Sequence, residues 1–227
     1  MTQLRRHELA RMIDVSAVQT YHGERDIRHL VDVAREHDFI AVHSLPAWTG
    51  LVSELLRDRS DIMVGAPVGF PAGAHTPETK QFEARRLIED GVQEMDVMMN
   101  VGKLKSAENG YVLDELLAIR NIATGIPMKV IIETPYLTPE ELVRSCRLVV
   151  ESGADFIKTG TGWSGKSADL ATLRTIVAEV QGDVEIKAAG GIRTLSAVTA
   201  MYEIGVRRFG INTAAALAIL DECDNTS

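Results

Sequence analysis

Asp155-Phe-Ile-Lys-Thr-Gly-Thr-Gly162 decides how the rest of the chain is read. A short apolar run carries Lys158 to its end and breaks at once into a glycine-rich turn, as a buried strand does where it meets a loop. Lysine is rare in cores because its cation is costly to desolvate, so an amine at this point is a candidate for chemistry. The arrangement recurs. Glu94-Met-Asp96 opens Val-Met-Met-Asn100, Met128-Lys129 opens Val-Ile-Ile-Glu133, and Ile186-Lys187 precedes Ala188-Ala-Gly-Gly191. Asp96, Lys129, Lys158 and Lys187 are 33, 29 and 29 residues apart, close to the length of one strand, one helix and two loops. Four ionisable groups are therefore expected at similar points of successive βα units.

Working outward, apolar β-branched runs predict strands over 11–16, 39–42, 62–68, 94–101, 128–133, 184–188 and 208–211, besides the one that carries Lys158. Helical patterns alternate with them. Ile27, Leu30, Val31 and Ala34 form one stripe of a helix over 24–37. Thr138-Pro-Glu-Glu141 is a capping box with proline at the first helical position, and Thr76-Pro77 starts another helix that Gly91 stops. Further helices are expected over 46–57, 109–123, 167–180, 194–204 and 213–220, with a covering turn or helix at 2–10. Eight strands strictly alternating with eight helices imply a parallel sheet covered by helices. Eight units within about 220 residues favour a closed (β/α)8 TIM barrel, one domain over 1–227, above an open doubly wound sheet. In a barrel the C-terminal strand ends converge on one mouth, which brings Lys158 and Lys187 together.

A net charge of −8 and a pI near 5.3 argue against nucleic acid as a partner, since phosphate-backbone binding needs clustered Lys and Arg. No apolar run approaches a membrane span of about 18 residues, and Met1-Thr-Gln-Leu-Arg-Arg-His-Glu8 lacks the apolar stretch of a signal peptide. A cytoplasmic protein is expected. Cys146 and Cys223 fit neither a disulfide framework nor zinc spacing, and His43 and His75 are not spaced as a metal pair. Each histidine reads as satisfied or exposed, and Met95, Met98 and Met99 read as barrel packing.

A neutral lysine attacks a carbonyl to form a Schiff base, an electron sink for carbon–carbon cleavage. A second ammonium about 5 Å away, at an effective dielectric near 20, repels by roughly 3 kcal/mol, about two pKa units. Lys187 is placed to do this to Lys158, and desolvation adds to it. Asp96 can shuttle protons, or pair with Lys129 as a buried structural bridge. Lys129 reads as electrostatic support. The turns Gly160-Thr-Gly162 and Gly190-Gly191 can present N–H groups to a phosphate, or serve only as tight βα turns.

At this point Glu94–Ser106, Lys129-Val-Ile-Ile-Glu-Thr134, Ala154–Gly162, Lys187-Ala-Ala-Gly-Gly-Ile-Arg-Thr194 and Gly69-Phe-Pro-Ala-Gly-Ala-His-Thr76 together resemble the deoxyribose-phosphate aldolases, in unchanged order from about Ile13 to Ile211. The resemblance implies a (β/α)8 barrel and reversible, cofactor-free cleavage of 2-deoxyribose 5-phosphate to acetaldehyde and glyceraldehyde 3-phosphate, with no metal. It makes Lys158 the Schiff-base lysine, Lys187 the lysine that lowers its pKa and Asp96 the proton relay. Lys129, Thr159, Gly162, Gly190, Gly191 and Asn212 become substrate-binding residues, the partner a sugar phosphate or aldehyde, and the assembly a homo-oligomer. Departures are visible. Gly210-Ile-Asn-Thr-Ala-Ala215 stands where a Gly-Thr-Ser-Ser-like turn is usual, Gly160 where serine is, Trp163 where phenylalanine is, and Val42-His-Ser44 replaces a cysteine-containing segment. Two alternatives stay open: a Schiff-base aldolase for another, unphosphorylated hydroxy-carbonyl compound, and a non-catalytic sugar-phosphate-binding barrel. The retained lysine pair argues against the second, because a binder needs no depressed amine.

Overall fold

In the computed structural model, which describes residues 4–166 and 169–225, eight parallel strands hydrogen-bond in chain order and close on themselves. They are β1 (Ile13–Ala17), β2 (Ala41–Ser44), β3 (Met63–Val68), β4 (Glu94–Met98), β5 (Met128–Ile131), β6 (Phe156–Lys158), β7 (Glu185–Ala189) and β8 (Arg208–Asn212), β8 pairing back onto β1. The helices are α1 (Arg6–Ala10), α2 (Glu24–His37), α3 (Thr49–Leu55), α4 (Pro77–Glu89), α5 (Val101–Lys105), α6 (Asn109–Ile122), α7 (Pro139–Glu151), α8 (Leu170–Val180), α9 (Leu195–Glu203) and α10 (Thr213–Asn225). The expected (β/α)8 barrel is present. Among the described residues no helix is long and apolar enough to cross a membrane.

Side chains alternate between the two faces of each strand. The outward set, including Val15, Val42, Val64, Val97, Val130, Ile157, Ile186 and Phe209, belongs to one large apolar cluster shared with the helices. That cluster is the core. The inward set includes Asp14, His43, Glu94, Asp96, Lys129, Lys158, Lys187 and Arg208, all buried. Where most barrels stack aliphatic layers inside, this one is filled with charge.

Several expected boundaries move for local reasons. The second strand, expected at 39–42, lies at Ala41–Ser44, because Asp38 is left-handed (φ 55°) and Phe39 N–H turns back to the Ala34 carbonyl. The first strand likewise begins two residues later than expected, at Ile13. The helix expected at 46–57 divides into a 3-10 turn, Pro46–Trp48, followed by α3. The fourth strand stops at Met98 and not 101, because Asn100 accepts the Lys103 N–H and caps α5, a short helix outside the expected alternation. The fifth strand ends at Ile131, short of Glu133, which adopts φ 50°. Both proline starts hold: Thr76 caps α4, and Thr138 with Glu141 closes the capping box of α7. The expected starts at Thr2 and Ser167 lie outside the described residues; within them α8 begins at Leu170, capped by Asp169.

One buried ion pair ties the helical layer to the sheet. Lys80 of α4 has no exposed surface, and its Nζ reaches the Met98 carbonyl at 2.8 Å and Glu115 Oε1 of α6 at 2.6 Å. Burial pulls the Lys80 amine down and pushes the Glu115 carboxyl up, each opposed by its partner. Stranding one buried charge costs about 3–5 kcal/mol, whereas removing both often costs little. Lys80→Met is accordingly expected to lower unfolding free energy by roughly 3–5 kcal/mol in urea, and Lys80→Met/Glu115→Leu by clearly less than the single change. A double variant as unstable as the two single losses added together would contradict this.

Candidate active site

Strand register stacks the interior charges in steps. Lys158 lies beside Lys187, Lys187 beside Arg208, and Asp96 beside Lys129. Lys158, however, is level with Ile131, and Lys129 with Phe156. The four ionisable groups expected at similar heights therefore split: Lys129 sits one inward step deeper than Lys158. It has no exposed surface, lies over the Phe156 ring at 5.6 Å, and pairs with Glu94 Oε1 at 2.7 Å and Asp96 Oδ1 at 3.6 Å. Its reading as electrostatic support and as a bridge to Asp96 fits; its reading as a substrate contact does not.

Asp96 is the hub. Its Oδ2 accepts from Lys158 Nζ at 2.6 Å and from Lys187 Nζ at 2.8 Å. Lys187 is held in turn by Asp14 Oδ2 at 2.6 Å, and Asp14 Oδ1 by Arg208 at 2.6 Å. Arg208 also grips Glu94 with two bonds from Nη2 at 3.0 and 2.9 Å. Chain segments from β1, β4, β5, β6, β7 and β8 thus meet within one polar cluster. Asp14, His43 and Glu94 can also place one ligand atom each within 4.8 Å of one another, but Lys129, Lys187 and Arg208 already neutralise those carboxylates and would repel a metal ion.

Four cations, Lys129, Lys158, Lys187 and Arg208, face three carboxylates, Asp14, Glu94 and Asp96. One cation is surplus. Burial is the largest influence on Lys158 and draws its amine down; Asp96 opposes it and Lys187 adds repulsion, leaving a pKa of about 8. The sequence reading put Lys187 first, and the order is reversed: desolvation leads. Burial also disfavours the Lys187 ammonium, but Asp14, Asp96 and Glu94 outweigh it and raise its pKa. For Asp96, burial favours the acid, yet Lys158 and Lys187 hold the carboxyl well below its usual range. The site thus supplies one titratable amine, one fixed ammonium and one fixed carboxylate.

Above the cluster opens a cavity of about 640 Å³, bordered by Lys158, Lys187 and Asp96 and by the βα loops. Gly162, Gly190, Gly191 and Asn212 line it. Thr159 does not. The residue is 1% exposed, and its hydroxyl donates to the Ala189 carbonyl and accepts the Ala189 N–H, stapling β6 to β7. The neighbouring Thr161 faces the cavity, positioned by buried Glu133, whose Oε2 accepts both its N–H and its hydroxyl. A Cβ at Gly160 would stand 2.8 Å from Glu133 Oε1, so the glycine admits this carboxylate. The Trp163 indole N–H donates to the Val18 carbonyl across the mouth, and its ring packs perpendicular to the Phe70 ring with centroids 5.8 Å apart. Asn212 Oδ1 accepts the Ala215 N–H and caps α10, turning that helix's amino end to the cavity wall. Arg193 stands on the same wall, exposed, and forms no ion pair among the described residues.

Sequence reasoning missed Asp14, Glu94 and Arg208, though the i, i+2 spacing of Glu94 and Asp96 already placed both on one strand face. It also misread His43, which is 4% exposed with neither ring nitrogen in full hydrogen-bond geometry. His75 is exposed, and Met95, Met98 and Met99 are buried as expected.

Residues 13–211 match the family model described as DeoC/LacD family aldolase. The chain is 47% identical over 216 residues to a deoxyribose-phosphate aldolase of Sinorhizobium medicae (strain WSM419), covering 95% of this chain and 87% of that protein. To the deoxyribose-phosphate aldolase of Klebsiella pneumoniae subsp. pneumoniae it is 42% identical over 220 residues, covering 96% and 88%. A tetrameric deoxyribose phosphate aldolase structure from Aeropyrum pernix superposes with a TM-score of 0.90 at 27% identity, covering 99% of this chain and 95% of that one.

The Lys158 pKa of about 8 sets a pH dependence. Only the neutral amine attacks, so reductive labelling of Lys158 by a small aldehyde and borohydride is expected to rise with pH and level off above a midpoint near 8. A midpoint near the free-lysine value of about 10.4 would show that burial does not act as described.

Proposed function

The chain belongs to the DeoC/LacD family of aldolases, and from that premise we propose that it cleaves 2-deoxy-D-ribose 5-phosphate reversibly to acetaldehyde and D-glyceraldehyde 3-phosphate through a Schiff base on Lys158. The observation that carries this reading is the sharing of Asp96 Oδ2 by two buried lysines, one with a lowered pKa and one with a raised pKa.

The neutral Lys158 Nζ attacks C1 of the open-chain sugar. The resulting carbinolamine hydroxyl must leave as water; its proton comes from solvent in the cavity, relayed by Asp96, while Lys187 on the same carboxylate oxygen stays charged. The protonated imine then draws electrons from the C2–C3 bond as the C3 hydroxyl loses its proton through a water to Asp96. Glyceraldehyde 3-phosphate departs. The enamine left on Lys158 takes back at C2, through the same water, the proton that Asp96 received, and attack of water on the imine so formed releases acetaldehyde, returns one proton to solvent and restores the neutral amine.

In the same reading the phosphate rests against the glycine turns of β6 and β7, the amino end of α10 and Arg193. First-turn amides of a helix lack intrahelical partners and favour an anion. Gly162, Gly190, Gly191 and Asn212 border that wall, and Thr213 is the hydroxyl left in the last turn. A cytoplasmic homo-oligomer built from one barrel domain over 1–227 completes the proposal; the tetrameric Aeropyrum pernix relative supports the assembly.

Incubation with 2-deoxyribose 5-phosphate, with released triose phosphate followed by a coupled dehydrogenase, tests the activity directly. Lys158→Ala is expected to lower kcat by roughly 10³-fold or more and to abolish borohydride-trapped mass on the peptide containing residue 158. Retained turnover in that variant would end the Schiff-base reading. Arg193→Ala is expected to raise KM for the phosphorylated sugar about tenfold, a loss near 1.4 kcal/mol, with the rate on free deoxyribose unchanged. Equal effects on both sugars would move the phosphate elsewhere, and faster turnover of the free sugar by the unaltered enzyme would favour an unphosphorylated substrate.

A further inference from the structure

The imine chemistry above leaves His43 without a task, although its ring lies in the charged cluster and borders the cavity. Its side chain is 5% exposed. Nε2 is 3.3 Å from Asp96 Oδ1 and 3.4 Å from Glu94 Oε1, while Nδ1 is 3.9 Å from Asp14 Oδ2. Two carboxylate oxygens can face one ring nitrogen closely only with a proton between them, so the neutral ring carries its hydrogen on Nε2.

A complementary gap exists on Asp96. Oδ2 takes both lysines, whereas Oδ1, also buried, has no hydrogen-bond partner and lies 3.3 Å from the imidazole Nε2 and 3.6 Å from Lys129 Nζ. A small rotation of the ring would satisfy two buried polar atoms at once, each costly to leave unpaired. The fold also makes room for this ring. Gly65 of β3 is level with His43, and a Cβ there would stand 2.3 Å from the imidazole Cε1.

We propose that His43 is a positioning residue acting through Asp96: its Nε2–H binds Oδ1, turns Oδ2 to the two lysines, and draws part of the carboxylate's charge away from Lys158. The inference rests on the Schiff-base reading of Lys158. The charged groups facing the ring are Asp14 of β1, Glu94 and Asp96 of β4, Lys129 of β5, Lys158 of β6, Lys187 of β7 and Arg208 of β8; β3 offers Gly65 and Pro67. Burial first, and Lys187 second, keep the imidazole below its ordinary pKa. At neutral pH it acts as a hydrogen-bond donor without added charge. When that donor is removed, the full Asp96 charge falls on the Lys158 ammonium and stabilises it, so the neutral amine appears only at higher pH.

The test is the pH profile of borohydride trapping on Lys158 in the full-length protein, with deoxyribose 5-phosphate as the aldehyde source. For His43→Leu, the rising limb is expected to move up by about one pH unit, so that trapping at pH 7 falls about tenfold while the high-pH plateau stays within about threefold. His43→Gln, whose amide N–H reaches a similar point, should return the limb to its original place. A His43→Leu limb that does not move, with trapping reduced equally at every pH, would reduce His43 to packing and overturn the proposal. If the leucine variant does not fold, His43→Asn replaces it: the shorter amide must show the displaced limb that glutamine lacks, and coincident limbs refute the idea. No trapping in the unaltered protein would instead sink the Schiff-base reading itself.

Discussion

A single carboxylate oxygen, Asp96 Oδ2, accepts from two buried ammonium-forming side chains at 2.6 and 2.8 Å, and the interior of the barrel is arranged so that this can persist. A carboxylate carried into a protein core is costly unless it is paired and bonded. Here both conditions are met by residues from separate strands. Lys187 cannot follow Lys158 to neutrality, because Asp14 holds it from the other side, and Arg208 holds Asp14. A line of alternating charges thus runs from β8 through β1 and β7 to β4 and ends on Lys158 of β6. The amine at its end borders the cavity.

Closing eight strands in order makes this line possible. Inward positions of neighbouring strands stand at matching or staggered heights, so register decides which groups touch. A two-residue stagger separates Lys129 from Lys158 and drops one lysine to the floor over Phe156 while lifting the other to the cavity. Chemistry is assigned here by height inside the barrel more than by residue type. The stability of the fold is borne elsewhere, by the apolar layer between sheet and helices, which leaves the inner channel free to be polar.

The alternation of strands and helices was legible because periodicity and capping are local. Thr138-Pro139 with Glu141, and the stripe from Ile27 to Ala34, announce their helices without outside help. The strand ends were not legible where one residue's backbone diverts the chain. Asp38 and Glu133, both left-handed, and Asn100, whose side chain caps a five-residue helix inside an apolar run, leave no periodic trace. At the site, Lys158, Lys187 and Asp96 could be found because a charge inside an apolar run is conspicuous. Glu94 and Arg208 were passed over because each opens its strand, where a charged residue ordinarily reaches solvent, and Asp14 because a lone carboxylate near the end of a short strand carries no partner in the sequence. Only the closed barrel turns those positions inward and against one another. Thr159 shows the opposite error: beside Lys158 in sequence, it points into the sheet and bonds Ala189.

Charge balance explains why Lys158 is the group that yields its proton. Each of the three carboxylates touches at least one of Lys129, Lys187 and Arg208, and those three cations are enough to neutralise the set. A fourth positive charge in the same volume has no unclaimed counterion, so the least buried of the four side chains, 11% exposed, carries the deficit. The same exposure opens its amine to the cavity. If Lys158 were as deeply enclosed as Lys129, a lowered pKa would serve nothing, and if it were open to bulk water, desolvation would not lower it. The position at the top of β6, level with Lys187 and one step above Lys129, meets both demands, and the glycine-rich turn that follows keeps side chains off the approach to the amine.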